Sequence, residues 1–407
     1  MENQSQLVQV GMSQNPDPGQ AGTEAARVAL AGFSPVQKAG WALAFCGGRH
    51  DPAAVWQGLQ SELGRVPIIG GAAIGTVTNS SLSYTGFECG VAVFSATLPQ
   101  PTIITVDDLG QGEIQAGQQL GARLREVAPE GATVLLFYDS LQSGPPPVLY
   151  VGSRLLDGIY QGLNGKSLEL IGAGTIGDYQ FSQSFIFDGR QGVKHAAVAA
   201  ILPSMVRSQT AVMHGCVPAS AFLEITRIED AVVYELDGWP ALDVLMEMMG
   251  GAADKPLNSN LSLTLTLGEK HGDLYAPYDE AAYVNRLILA SNPADGSVTL
   301  FEADFAVGSK VQVMSRDNHL MLESVQRQTG ALLDSLPAVK PFFAFYIDCA
   351  GRTCAFSGAD VEEASLLQAN LPADIPLLGF YSGVEIAPLM GRSRPLDWTG
   401  VLTLLMV

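Results

Sequence analysis

The sequence Val-Pro-Ile-Ile-Gly-Gly-Ala-Ala-Ile-Gly at residues 66–75 joins an apolar run to a turn built from glycine. Similar sequences recur twice, as Leu-Glu-Leu-Ile-Gly-Ala-Gly-Thr-Ile-Gly at 168–177 and as Ile-Pro-Leu-Leu-Gly-Phe-Tyr-Ser-Gly at 375–383. Glycine is placed where a chain bends tightly or where another group approaches its backbone. Three such turns predict one structural unit that the chain uses three times.

The segments that flank each turn support this repeat. A strand-like apolar run precedes every turn, a helix-like segment lies between the two, and a second apolar run follows the turn. The preceding runs span residues 41–45, 133–137 and 342–345, and the following runs span 90–94, 196–202 and 401–407. Each unit is therefore predicted as strand, helix, strand, glycine turn, strand. The expected fold is α/β, with mixed sheets flanked by helices and with two related halves.

The chain is expected to have three parts. Residues 1–25 are rich in Gln, Gly, Asn and Pro, which predicts a disordered tail. The pattern of strands and helices breaks around residues 203–208. An N-terminal domain is therefore predicted over 26–205 and a C-terminal domain over 206–407.

Charge and composition exclude several classes of partner. The 407 residues include 22 Lys and Arg against 41 Asp and Glu, which gives a net charge of −19. Nucleic acids and anionic membranes are polyanions, so this charge argues against both. No apolar run is long enough to span a bilayer, and the N-terminus lacks the pattern of a signal peptide. The five cysteines have no metal-ligand spacing. We expect a cytoplasmic protein without membrane insertion.

The glycine turns lack the residues of the common phosphate-binding and catalytic motifs. None has the Gly-Lys-Ser/Thr ending of a P-loop, and the Gly-x-Ser-x-Gly sequence of a serine nucleophile does not occur. The second turn contains Gly172-x-Gly174-x-x-Gly177, but no acidic residue follows at the interval that a dinucleotide site needs. A structural role for this turn is favoured over nucleotide binding.

His214 and Glu385 are two titratable residues whose local sequence suggests a site. His214 ends an apolar strand before Gly215-Cys216, so its ring either packs structurally or projects into a cavity, where it could ligate a haem iron or contact another ligand. Glu385 lies in an apolar stretch beside the third glycine turn, where an unpaired carboxylate would be costly to bury. It either caps backbone N–H groups or binds an amine or guanidinium on a ligand.

Each half of the chain carries a set of short distinctive strings. The N-terminal strings are the Phe45-Cys46 strand end, Asp51 at a helix start, and the sequence 67–71 before Gly75. The C-terminal strings are Gly-Cys-Val-Pro at 215–218, Glu-Leu-Asp-Gly-Trp-Pro-Ala-Leu at 235–242, Cys-Ala-Gly-Arg at 349–352, Gly-Phe-Tyr-Ser at 379–382, and Glu385-Ile386. Together they resemble the FIST family, two-part sensory modules of signal transduction. Residues from about 27 to 205 resemble the FIST N-terminal part, and residues from about 206 to 407 resemble the C-terminal part.

The resemblance implies a non-catalytic module that binds a small molecule, with amino acids proposed for the family. Some stand-alone members are haem proteins that sense nitric oxide and act on a histidine kinase or a cyclic-di-GMP enzyme. For this chain the resemblance implies a separate partner protein, and haem iron would use His214. We expect the ligand at the junction of the two halves. The predicted ligand-binding residues are Gly70, Gly71, Gly75, Gly379, Tyr381, Ser382 and Glu385.

An enzyme is the rival hypothesis. Asp139, Asp348 and Glu385 lie at predicted strand ends, where α/β folds often place chemistry. Such an enzyme would act on a small polar substrate at the glycine turns. No nucleophile–base or metal-ligand set in the sequence supports it, so the sensor is favoured.

Overall fold

A computed structural model describes residues 7–249 and 265–407. Its three units each contain four long strands and two long helices. Unit one has the strands Val8–Ser13, Ala39–Gly47, Ile68–Ala73 and Cys89–Ser95 and the helices Pro18–Leu30 and Pro52–Leu63. Unit two has the strands Thr102–Val106, Thr133–Asp139, Glu169–Thr175 and Ala197–Ile201 and the helices Glu113–Val127 and Gly152–Leu163. Unit three has the strands Arg207–Met213, Phe343–Cys349, Leu377–Ser382 and Gly400–Met406 and the helices Asn318–Asp334 and Glu363–Asn370.

The strand order is the same in all three units. The second and third strands are parallel neighbours, the second and fourth are antiparallel, and the fourth pairs antiparallel with the first. The prediction of a repeated unit is therefore confirmed. The N-terminal half holds two units and the C-terminal half holds the third, which is how the two halves are related. No helix of the described residues is long and apolar enough to cross a membrane.

The glycine turn of each unit leads to a hairpin that joins the sheet of another unit. These hairpins are Thr76–Thr78 with Leu82–Ser83, Ile186–Asp188 with Gly192–Val193, and Val384–Leu389 with Arg392–Leu396. The first hairpin pairs with the third strand of unit three, the second with that of unit one, and the third with that of unit two. Three six-stranded sheets result, and the exchange links the units in a ring.

One central core lies between the three sheets. Alternate side chains from every unit meet there, including Phe45, Phe137, Phe345 and Phe380. The ring centroid of Phe45 lies 3.8 Å from that of Phe380 and 5.3 Å from that of Phe137. The opposite face of each sheet packs on the helices of its own unit, in three further apolar clusters. Because both faces are buried, the central strands consist of the continuous apolar runs seen in the sequence.

A closed antiparallel barrel is inserted in unit three, between its first strand and the helix Asn318–Asp334. Its six strands form a ring because Lys310–Ser315 pairs with both Leu223–Glu229 and Leu265–Lys270. The other three strands are Val232–Leu236, Tyr283–Asn292 and Ser297–Leu300. Two short strands, Val217–Pro218 and Trp239–Pro240, border the ring, and the helix Ala241–Met248 packs against it.

The repeated glycines allow close approach of two parallel strands. Gly70, Gly172 and Gly379 occupy the same register position in their units. A β-carbon at Gly70 would lie 2.1 Å from the carbonyl oxygen of Ala44, and one at Gly172 would lie 1.7 Å from that of Leu136. At Gly379 the nearest atoms would be 3.0 Å away. The repeated sequence motif is thus explained by backbone packing.

The disordered tail predicted for residues 1–25 is wrong over residues 8–25. Val8–Ser13 pairs along its whole length with Cys89–Ser95, and the helix Pro18–Leu30 follows. Asp17 caps this helix by accepting a hydrogen bond from the N–H of Gln20 at 2.8 Å. The polar composition concealed a strand that is held by its neighbour in the sheet. Residues 1–6 lie outside the described range, and the predicted boundary at 205/206 lies just before Arg207–Met213.

Candidate functional site

The seven predicted ligand-binding residues are all buried. The first and third glycine turns do lie side by side: the N–H of Ile74 donates to the carbonyl of Tyr381, and the N–H of Tyr381 donates to the carbonyl of Gly75, both at 3.1 Å. These contacts are pairing between backbones. The structure therefore gives these glycines a packing role, and a ligand at the turns stays a prediction.

The carboxylate of Glu385 has two hydrogen-bond partners inside the protein. It accepts from the Ser382 hydroxyl at 2.7 Å and from the N–H of Thr399 at 3.3 Å. Burial raises the pKa of Glu385 well above its usual range, and the nearby Asp397 adds to the shift. The protonated, neutral form is favoured. These are the contacts of a structural cap, the first of the two roles considered for this residue.

His214 is buried and both of its ring nitrogens have partners. Nε2 lies 2.9 Å from the carbonyl oxygen of Glu280, and Nδ1 accepts from the N–H of Cys216 at 2.9 Å. Nε2 is therefore the nitrogen that carries the proton. Burial lowers the pKa of His214, which keeps the ring neutral. The residues around His214 do not fit an iron ligand, because neither nitrogen is available.

Replacing His214 by alanine should destabilise the fold without changing any visible absorption. The variant leaves the N–H of Cys216 and the carbonyl of Glu280 without their buried partner, which should lower the free energy of unfolding by about 2–4 kcal/mol. Thermal melting and the absorption spectrum after haem reconstitution test this, with the exposed His319→Ala as control. A Soret band in the wild type that His214→Ala removes would instead identify an iron ligand.

A cleft of about 450 Å³ lies beyond the carboxyl ends of the parallel strands Thr133–Asp139 and Glu169–Thr175. We call it the unit-two cleft. Three segments form its walls: the hairpin loop 141–147, the loop 180–184, and Lys194-His195. Its polar lining residues include Gln142, Ser143, Gln180, Ser182, Lys194 and His195. Ligands of α/β proteins commonly bind at such strand ends, and the volume suits a small molecule.

His195 is held in a strained conformation at the wall of this cleft. Its φ is +53°, which is unusual for a residue with a side chain. Its N–H donates to the buried carboxylate of Asp139 at 2.6 Å, and the same carboxylate accepts from the N–H of Leu141 at 3.0 Å. The Tyr150 hydroxyl lies 3.0 Å from Nδ1 of the ring. Asp139 thus fixes two walls of the cleft, and Tyr150 orients the histidine.

The unit-two cleft differs in charge from the other cavities that we describe. Lys194 and His195 line it, and none of its lining residues is acidic. A larger cavity of about 750 Å³ between units one and two mixes Arg123 and Arg190 with three carboxylates. Two further cavities, of about 300 Å³ and about 530 Å³, each include a glutamate in their lining. In a chain with a net charge of −19, a cleft lined by two basic residues and by no carboxylate favours an anionic ligand.

This cleft lies away from the predicted ligand-binding residues. The second glycine turn, 172–177, leads into one wall, whereas those residues lie on the first and third turns. Two signals were present: a proline-rich loop at 143–147, and a basic pair directly before the apolar strand Ala197–Ile201. Neither signal shows that these segments meet.

The fold and the cleft define an α/β protein with a cleft of small-molecule size at its strand ends. Two family models match the chain, the FIST N domain over residues 40–239 and the FIST C domain over 241–388. The chain therefore belongs to the FIST family, whose domains are sensory domains of signal transduction proteins. The two family matches meet at residues 239–241, inside the barrel and downstream of the predicted boundary at 205/206.

Relatives of this chain are found in mycobacteria and in an archaeon. An uncharacterised protein of Mycobacterium tuberculosis is 26% identical over 97% of this chain and 98% of its own length. An uncharacterised protein of Mycobacterium bovis is 25% identical over 64% of this chain and 66% of its own. One of Methanocaldococcus jannaschii is 23% identical over 46% and 36%.

Proposed function

We propose that this FIST protein is a cytoplasmic sensor that binds a small carboxylate, such as an amino acid, in the unit-two cleft. The observation that carries the proposal is the presence of both Lys194 and His195 in a cleft whose lining residues include no carboxylate. The lysine ammonium supplies a charge-assisted hydrogen bond to a carboxylate. Side-chain amides, including those of Gln142 and Gln180, supply partners for the rest of a polar ligand.

Binding should depend on the two basic residues of the cleft. Calorimetry with a panel of amino acids, dicarboxylates and inorganic phosphate identifies the ligand class. Lys194→Ala and His195→Ala should each weaken the affinity about tenfold, since a hydrogen bond to a charged group contributes about 1.5–3 kcal/mol. Lys38→Ala, an exposed lysine of unit one, is the matched control and should bind as the wild type does. Equal affinity in all four proteins would place the ligand elsewhere.

The sensor is proposed to be non-catalytic and to signal through a separate protein. A histidine kinase or a cyclic-di-GMP enzyme is the partner class that the family resemblance suggests. Mass spectrometry of the ligand after long incubation separates this proposal from the rival enzyme, because a sensor returns its ligand unchanged. The proposed sensor works without haem, because both ring nitrogens of His214 have partners in the protein, and the purified protein should show no Soret band.

A further inference from the structure

The helix Gly152–Leu163 of unit two begins at a carboxylate that belongs to the barrel. The N–H of Gly152 donates to Glu302 at 3.1 Å, and the N–H of Ser153 donates to the second oxygen at 2.7 Å. Glu302 is only 1% exposed. The first N–H groups of a helix have no partner within it, and the helix dipole makes this end an anion site. The barrel therefore supplies the anion for a helix of another part of the fold.

Three buried hydroxyls without a hydrogen-bond partner surround this helix end. They belong to Tyr138, Ser140 and Ser153, each less than 5% exposed. The Tyr138 oxygen would lie 2.6 Å from a β-carbon at Gly152, and the Ser140 oxygen would lie 2.3 Å from one at Gly174. Tyr138 thus points at the start of the helix, and the two glycines leave room there. The Tyr138 hydroxyl is thus a donor at this helix end that Glu302 does not use.

We propose that this helix end is a carboxylate-binding site of unit two that Glu302 fills as a built-in ligand. The two hydrogen bonds of Glu302 attach the barrel to unit two, which carries the cleft. The natural occupant is a carboxylate, because two backbone N–H groups already bind both oxygens of one. A small free carboxylate such as acetate has the same chemistry and should enter when Glu302 is removed.

The contact of Glu302 with the helix start is weaker than an ion pair with a cation of its own. Arg286 is the nearby cation, but it already binds Asp304 at 2.7 Å and also pairs with Asp397. Burial and the charge of Asp397 raise the pKa of Glu302 to about 7. A raised carboxyl pKa means that the folded state holds its proton longer than the unfolded state does. The stability of this contact therefore falls as the pH rises from about 4.5 to about 7.

The carboxylate site is also connected to the unit-two cleft. Tyr150, which orients the His195 ring, lies two residues before Gly152. A ligand that moves His195 would act on the segment that ends in the carboxylate site. This connection rests on the proposed function, whereas the carboxylate site does not.

Chemical rescue tests the carboxylate site. Glu302→Ala should melt at a lower temperature than the wild type and should exchange the amides of residues 152–153 faster. Acetate should restore both properties, and chloride at equal ionic strength should not. The matched control is Val298→Ala, which removes a fully buried side chain of the barrel but no carboxylate. Its melting temperature should also fall and should not respond to acetate.

Three results would overturn the carboxylate site: melting of Glu302→Ala at the wild-type temperature, no response to acetate, or an equal response in Val298→Ala. If Glu302→Ala does not fold in buffer, its refolding yield with and without acetate gives the same answer. Neither experiment uses the cleft ligand, so this test and the calorimetry of the cleft fail independently.

The connection between the cleft and the carboxylate site has its own test. Tyr150→Phe and His195→Ala should speed amide exchange at 152–153, while Lys194→Ala should not. Unchanged exchange in both variants would overturn the connection.

Discussion

Gly70→Ala is expected to abolish the folded protein. The added β-carbon would lie 2.1 Å from the carbonyl oxygen of Ala44, and the φ of +129° is itself unfavourable for alanine. The two parallel strands would have to separate in the centre of a sheet that is buried on both faces. The expected loss is about 5 kcal/mol, comparable with the ~5–15 kcal/mol stability of a typical protein. Gly172→Ala, at the same position of unit two, should behave alike.

The yield of soluble protein and urea unfolding measure this effect. Gly330→Ala is the matched control, because a β-carbon there meets no atom within 4 Å and the residue lies inside the helix Asn318–Asp334. It should stabilise the protein by up to about 1 kcal/mol. Gly379→Ala, with its 3.0 Å contacts, should fall between the two. Wild-type unfolding of Gly70→Ala would show that the repeated glycines do not serve strand packing.

Glu280→Gln is expected to produce the second large effect. This carboxylate accepts from the N–H groups of His214 and Gly215 at 2.6 Å and pairs with Arg327 at 2.5 Å. Burial disfavours its charged form, but hydrogen bonds from the Ser324 hydroxyl, the N–H of Gly215 and the Gln328 amide hold the pKa of Glu280 at about 2. Removing a buried ion from its partners should lower the free energy of unfolding by about 3–5 kcal/mol at pH 7.

The pH dependence of this loss is fixed by the direction of the pKa shift. A lowered carboxyl pKa contributes stability that is fully present above the unfolded value of about 4.3 and is lost as the pH falls toward 2. The difference between Glu280→Gln and the wild type should therefore shrink between about pH 4.5 and pH 2. Urea unfolding at several pH values measures it.

Glu385→Gln is the control for Glu280→Gln. Both glutamates are buried, but Glu385 favours its neutral form, so glutamine replaces a group of similar shape and equal charge. The change in unfolding free energy should be about 1 kcal/mol or less. An equal loss of unfolding free energy in the two variants would contradict the conclusion that Glu280 is ionised and Glu385 is neutral. A loss of ligand affinity in Glu385→Gln without a loss of stability would instead support a ligand at the third glycine turn.

The repeated units could be predicted because their causes are local. A strand buried on both faces needs a continuous apolar run, and a close parallel neighbour needs glycine at one register position. Both requirements leave a trace in each unit, in the sequences around Gly70, Gly172 and Gly379. His214 and Glu385 were also recognised as unusual, because a titratable group in an apolar stretch stands out in any window. The strings that resemble FIST sequences also predicted the family and its two parts.

The partners of these residues could not be predicted, because they are distant in sequence. His214 binds Glu280, 66 positions away, and Glu302 binds Gly152, 150 positions away. The walls of the unit-two cleft come from three loops, whose polar residues carry no periodic pattern. Val8–Ser13 became a strand only through its neighbour in the sheet. The exchange of hairpins and the closure of the barrel depend on which strand edges meet after folding.

The sequence by itself thus determined the repeated unit and the family, through backbone and burial requirements within single segments. The tertiary structure alone decided where the cleft and the carboxylate site lie, because both are made from segments that only the packed units bring together.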